Sequence, residues 1–262
     1  TIIALIHRVE AKLPTQRIRL YDKCTESLLE TWEMVKKTDG GELMSEEDKR
    51  RRLEWIAYWM QNMPGEVGRE RTVKREQLKQ KLVEFLMKKG KAVDMAEART
   101  EAKLFLTHIR KRTGVLVEGG RGRYSFVHIT FQEYFAACEV HRRYQDTIAT
   151  TGMNSFWNQE LRDRLHDPQW LEVILLFIGK VNEVSEAAVL ELVRRILNAG
   201  NQHEDILHRD LFLAGSCLAD DVDVDALKQD IFDRLFSLFR KGKYSGLRTR
   251  ASAALVAMRA SR

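Results

Sequence analysis

The chain has 262 residues, of which 31% are charged and 44% are apolar. This composition is that of an ordinary folded protein, and it excludes a disordered chain and a membrane-embedded one. Residues 170–179 form the most apolar run, which is too short to cross a bilayer. Three widely separated cysteines predict reduced, buried thiols. We therefore expect a cytoplasmic protein.

The first forty residues show a helical pattern that is interrupted at Pro14. Leu28, Trp32 and Val35 recur at helical spacing in the second of the two predicted helices. Residues 38–44 contain two glycines and are predicted to be a linker. Because the chain starts with Thr1 inside an apolar pattern, we expect it to be a fragment of a longer protein.

Residues 41–150 have the element order of a winged-helix domain. A helix is predicted from Ser45, with Asp48 as its capping partner, and two more follow at about 73–88 and 94–112. Two short strands, 115–117 and 124–129, are then joined by a glycine-rich turn. Thr130 is predicted to be the N-cap of the closing helix, with Glu133 as its partner in a capping box. Three helices, one β-hairpin and a closing helix form such a domain.

Residues 151–262 show repeated helical patterns separated by short joints. Asp167-Pro168 and Ser185 are predicted to start two of the helices. Further helices are predicted at about 204–219, 224–240 and 246–260. This spacing favours a HEAT-like α-solenoid, and a plain helical bundle is the alternative. The predicted fold class is therefore mostly α.

Motifs for catalysis or metal binding are absent from the sequence. There is no G-x-x-x-x-G-K-[ST] loop, and Gly119, Gly120 and Gly122 join two strands instead of a strand and a helix. Cys138 and His141 lack the two further ligands that a zinc site requires, and His203 and His208, five residues apart, do not share a helix face. We expect no nucleotide hydrolysis, no bound cofactor and no metal in this chain by itself.

Residues 126–137, FVHITFQEYFAA, resemble the F-x-H-x-(S/T)-F-x-E-Y-x-A-A signature of the winged-helix domain in NACHT-family STAND NTPases. The segment LPTQRIRLYDKCTESLLETWE also resembles the end of the helical domain that follows the NTPase core in that family. The resemblance implies three regions: the end of this helical domain at 1–40, a winged helix at 41–150 and HEAT-like helices at 151–262.

His128 is the single candidate site residue. From the residues alone, it is a strand-end histidine that local hydrogen bonds satisfy. The resemblance instead implies that it contacts the phosphate of ADP in the full-length protein, where an upstream nucleotide-binding domain holds ADP or ATP with Mg²⁺. Phe126, Phe131, Tyr134 and Phe135 are predicted to be core anchors.

The resemblance implies a signalling switch in intracellular sensing or defence, with an unknown protein or other ligand at the C-terminal helices and self-assembly on activation. Two alternatives remain, a DNA-binding winged helix and a passive helical scaffold. DNA binding depends on the basic runs at 49–52, 69–75 and 110–112. The helix before the wing also carries Glu97 and Glu101, which weakens that alternative.

Overall fold

The structure is a computed structural model that describes residues 16–34, 44–65, 71–90, 92–112, 115–219 and 225–260. These residues are mostly α-helical, as predicted, and include one small sheet. In chain order the elements are α1 (Arg17–Met34), α2 (Glu46–Gln61), β1 (Val73–Lys74), α3 (Arg75–Lys88), α4 (Met95–Arg112), β2 (Leu116–Gly119), β3 (Arg123–Phe126), α5 (Ile129–Thr150), α6 (Met153–Phe156), α7 (Leu171–Asn182), α8 (Glu186–Leu197), α9 (Glu204–Leu207), α10 (Arg209–Leu218), α11 (Asp225–Lys241) and α12 (Ser245–Ala260).

The described chain divides into two compact units. The first comes from Arg19–Val140, and the second comes from His141–Arg262 together with residues 16–18. The predicted helix before Pro14 and all of the predicted linker at 38–44 except Met44 lie outside the described residues. The region boundaries at residues 40 and 150 stay predictions.

The first unit contains the predicted hairpin and a third strand that the sequence did not reveal. Strands β2 and β3 pair antiparallel, with Leu116 opposite Phe126. A 3₁₀ turn joins them, and Gly122 at its end has φ +65°, a conformation that favours glycine. Strand β1 pairs with the other edge of β3. Two residues are too few to show a strand alternation, so the sequence assigned them to the helix that begins at Arg75.

The start of α2 is as predicted. The Ser45 Oγ accepts a hydrogen bond from the Asp48 backbone N–H at 3.1 Å and donates to the Asp48 carboxylate at 2.9 Å. The apolar face predicted for this helix is buried: Leu53, Ile56, Ala57 and Met60. The capping residues therefore located the start of α2, and the hydrophobic spacing located its inner face.

The second unit departs from the predicted helix starts in two places. Helix α7 begins at Leu171, and not at Pro168, because the Asp167 carboxylate caps an intervening turn by accepting from the Gln169 N–H at 2.9 Å. The helix predicted at 204–219 is two helices, since His208 has φ 50° and interrupts the regular hydrogen bonding. Ser185 does start α8, and its Oγ accepts from the Ala188 N–H at 3.2 Å.

Residues 153–164, for which no element was predicted, are also helical. Helix α6 leads into a π-helical turn at Trp157–Leu161, and then into a 3₁₀ turn at Arg162–Arg164. The π turn contains an extra residue per turn, so Phe156 and Leu161, five apart, are both buried.

Successive helices of the second unit pack on one another. Helix α8 packs against α7 and α10, and α10 packs against α11 and α12. The HEAT-like solenoid stays a prediction. Within the described part of the chain, no helix combines the length and the apolar character needed to span a membrane.

Candidate functional site

His128 lies at the junction between β3 and α5. The Val127 N–H donates to the Val115 carbonyl at 2.8 Å, so the junction is held to the start of the hairpin. The Val127 side chain points outward and is 43% exposed. His128 follows it and is also exposed. The ring is therefore not buried among hydrocarbon side chains.

The His128 ring caps the first turn of α5. Its Nδ1 accepts the Thr130 backbone N–H at 3.3 Å and lies 3.0 Å from the Thr130 Oγ1. The His128 carbonyl accepts the Phe131 N–H at 3.1 Å. The predicted capping box was wrong in position, since α5 begins at Ile129 and His128, not Thr130, is the cap.

This capping contact fixes the tautomer of the neutral ring. A backbone N–H can only donate, so Nδ1 must present a lone pair and the ring proton is on Nε2. Among the described residues, none forms a hydrogen bond with Nε2 of His128. The arrangement presents an oriented N–H donor to solvent at the surface of the winged helix.

Aromatic side chains hold the junction on the core, as predicted. Phe126, Phe131, Tyr134 and Phe135 are each at most 2% exposed. The Phe126 and Phe135 ring centroids are 5.9 Å apart, so they join β3 to α5 directly. Since these two elements flank His128, their contact limits the movement of its backbone.

A polar network joins α5 to α1 and α2 within the first unit. The Tyr134 hydroxyl donates to the Asp22 carboxylate and accepts from the Arg50 guanidinium at 2.8 Å. A second Arg50 nitrogen donates to the Thr25 hydroxyl at 3.3 Å. Burial raises the pKa of the Tyr134 hydroxyl well above its ordinary value, so this group stays protonated and can donate.

Sequence reasoning missed this network and treated Tyr134 only as an apolar anchor. The one available signal was the polar tip of a tyrosine in a predicted core, because a buried hydroxyl requires a partner. The partners themselves could not be found, since they are 84 and 112 residues away along the chain.

The first basic run is largely internal. Lys49 is fully buried, and Arg52 is 4% exposed and pairs with Glu101. Arg50 belongs to the Tyr134 network. Only Arg51 of this run is left to face a phosphate backbone, which counts against the DNA-binding alternative. Residues 66–70 and the side chains at 110–112 lie outside the part of the chain that the structure describes.

The residues weighed as metal ligands are not assembled into a cluster. Within the described ranges, no group of three or more His, Cys, Asp or Glu side chains is placed to hold a metal ion. Cys138 is buried, as are Cys24 and Cys217. His203 and His208 have positive φ and flank the short helix α9.

Residues 17–140 match a family model described as the winged helix-turn-helix domain C-terminal to NACHT. No curated protein and no solved structure matches the chain. The matched domain is a winged helix and not a catalytic NTPase domain. It covers the hairpin, the capping histidine and the aromatic anchors described above. Residues 17–140 are therefore similar to the winged-helix domain that follows NACHT, in agreement with the family resemblance of residues 126–137.

Proposed function

We propose that this chain is the C-terminal regulatory part of a nucleotide-dependent signalling switch, and that His128 contacts the phosphates of bound ADP. In this proposal, an upstream nucleotide-binding domain holds ADP in a closed resting state. An activating ligand at the C-terminal helices promotes exchange for ATP with Mg²⁺, and the protein then self-assembles. The setting is the cytoplasm, in intracellular sensing or defence.

The observation that carries this proposal is the exposed Nε2–H of His128. A neutral imidazole N–H donates well to a phosphate oxygen, and the charge on that oxygen strengthens the hydrogen bond. The ring is oriented before any ligand arrives, because Nδ1 is held by the Thr130 N–H. A preoriented donor loses little conformational entropy when it binds.

The helix that follows gives a second reason to expect an anion here. Helix α5 has 22 residues, and its N-terminus begins one residue after His128. The aligned peptide dipoles place partial positive charge at this end. A phosphate near Nε2 would therefore interact favourably with the ring and with the helix end together.

Loss of this contact is the proposed switching event. While a phosphate on the neighbouring domain accepts the Nε2–H, one ligand joins two domains. When exchange of the nucleotide leaves no phosphate oxygen in position to accept the Nε2–H, this hydrogen bond is lost and the two domains can separate by a hinge movement. The contact must therefore favour ADP over ATP, because a ligand shifts an equilibrium only through a difference in affinity between the two states.

The test is His128→Asn in the protein that contains both the NACHT domain and this chain. Asparagine is a good N-cap, so its side chain can still accept the Thr130 N–H. It cannot reach as far as Nε2. We expect ADP affinity, measured by isothermal titration calorimetry, to fall about tenfold or more, as for loss of a hydrogen bond to a charged group.

Two further variants separate the contact from folding. Val127→Asn introduces the same side chain at the neighbouring exposed position and should leave ADP affinity unchanged within about twofold. His128→Ala should lose both ADP affinity and about 1 kcal/mol of stability, because it removes the cap. An ADP affinity in His128→Asn equal to that of Val127→Asn would show that His128 does not contact the nucleotide.

A further inference from the structure

The second unit contains a cavity of about 500 Å³ that was not predicted from the sequence. It is bordered by the loop at residues 165–168, by α10 and by α12. This volume lies within the range of sites that bind small molecules. All of its lining residues belong to the second unit, so the cavity stands independently of the proposed nucleotide contact.

Most of the cavity wall is apolar. Leu165, Leu213 and Phe212 are buried side chains that form part of it. Alanines at 253, 254 and 257 on α12 form another part, and their small side chains leave the space open. A ligand that fills this volume must therefore bring an apolar body.

Two arginines, Arg209 and Arg250, line the same cavity. Neither Arg209 nor Arg250 forms a salt bridge to any described residue, although many other arginines in the structure do. The acidic residue in the cavity lining, Asp167, accepts the Gln169 N–H. The lining therefore carries an excess of positive charge.

Both guanidinium groups are held in place. The Arg250 guanidinium lies over the Phe212 ring, 4.3 Å from its centroid. The Arg209 Nη2 donates to the His166 carbonyl at 3.1 Å, and the His166 ring bonds to the fully buried Asp210 at 2.6 Å. Fixed guanidinium groups bind carboxylates and phosphates with less loss of entropy than flexible ones.

We propose that this cavity binds a small molecule that joins an apolar body to a carboxylate or phosphate group, with Arg209 and Arg250 binding the anion. Arginine presents parallel N–H groups that match two oxygens of either anion. The apolar body occupies the space against Phe212 and the alanines of α12. The backbone carbonyl of His166 positions Arg209 by accepting its Nη2–H, and the binding of the anion does not require a charge on the His166 ring.

The experiment titrates the 262-residue chain with three matched probes by calorimetry: 3-phenylpropionate, phenyl phosphate and the neutral 3-phenylpropanol. We expect at least one anion to bind with a dissociation constant on the order of 1 mM or lower, and at least about tenfold more tightly than the alcohol. Comparison of the two anions shows whether the site prefers a carboxylate or a phosphate.

Three variants locate the binding. Arg250→Gln should weaken the binding of the anion at least about tenfold. Arg234→Gln, which removes an exposed arginine of α11 outside the cavity lining, should leave the binding unchanged. Ala257→Phe keeps every charge but fills the cavity from an exposed position, and should abolish binding. Circular dichroism checks that each variant is folded.

The proposal is overturned by any of three results. The first is that neither anion binds at a ligand concentration about 10-fold above the expected dissociation constant. The second is that the alcohol binds as tightly as the anions. The third is that Arg250→Gln and Arg234→Gln weaken the binding of the anion equally. Retained binding in a folded Ala257→Phe variant would likewise place the ligand elsewhere.

Discussion

Replacing Tyr134 with phenylalanine tests the polar network that joins α1, α2 and α5. The change removes only the hydroxyl oxygen, which donates to Asp22 and accepts from Arg50. Each hydrogen bond to a charged group contributes about 1.5–3 kcal/mol. Because the Arg50 and Asp22 side chains are already 3.5 Å apart, they can recover part of this loss by pairing directly. We therefore expect the free energy of unfolding to fall by about 2–3 kcal/mol.

The assay is urea unfolding followed by circular dichroism, with the denaturant slope compared between variants. Tyr21→Phe is the matched control. Its ring stacks on Tyr134 with centroids 5.6 Å apart, yet its hydroxyl forms no hydrogen bond to any described residue. This control should change the free energy of unfolding by less than about 0.5 kcal/mol. If the two variants lose the same stability, the network does not stabilise the winged helix and the reasoning is refuted.

Three further predictions concern the Cys24 thiol, the Arg52–Glu101 ion pair and two helical glycines. Burial raises the pKa of the Cys24 thiol from 9.0 to about 11, so the folded state favours the protonated thiol. The stability that this gives is complete below pH 9, where the thiol of the unfolded chain is also protonated, and it is lost as the pH rises towards 11. Urea unfolding at several pH values should show a steeper loss for wild type than for Cys24→Ala. Glu101→Gln leaves Arg52, whose side chain is 5% exposed, without the carboxylate of Glu101, and the free energy of unfolding should fall by about 2–4 kcal/mol; an unchanged midpoint would contradict this. Gly179→Ala should raise the melting temperature, since its Cβ has ordinary contacts at 3.5 Å and alanine favours helix by about 1 kcal/mol. Gly215→Ala should give no such gain, because its Cβ would lie 3.1 Å from a leucine methyl.

The sequence predicted those features that depend on neighbours along the chain. The cap at Ser45, the start at Ser185 and the hairpin each follow from side-chain types within a few residues. The four aromatic anchors were predicted to be buried and are buried. Local hydrogen bonding and hydrophobic spacing were sufficient for these elements.

The missed features depend on partners far away in the chain. The pairing of β1 with β3 joins residues 73 and 124, and the cavity wall joins residues 209 and 250. The cap of α5 was missed for another reason. An imidazole accepts a backbone N–H less commonly than threonine does, so the sequence favoured Thr130 over His128 as the cap.

The basic run at 49–52 shows why charge along a sequence is a poor guide to a binding surface. A helix turns each successive residue by about 100°, so four consecutive cations must point in four directions. In this protein the inward directions receive Lys49 and Arg52, which are buried. A charged run on a helix therefore predicts a surface only when its periodicity matches one face.

The wide turn at Trp157–Leu161 affects how this chain should be aligned with others. A π turn arises when one residue is added to an α-helix without a loop to absorb it. Proteins with the same helix in regular form should therefore be one residue shorter at this point, and an alignment without that gap would assign every later side chain of the segment to the wrong face. Removing one residue from the turn would rotate Arg162 and the residues after it about the helix axis by roughly a quarter turn.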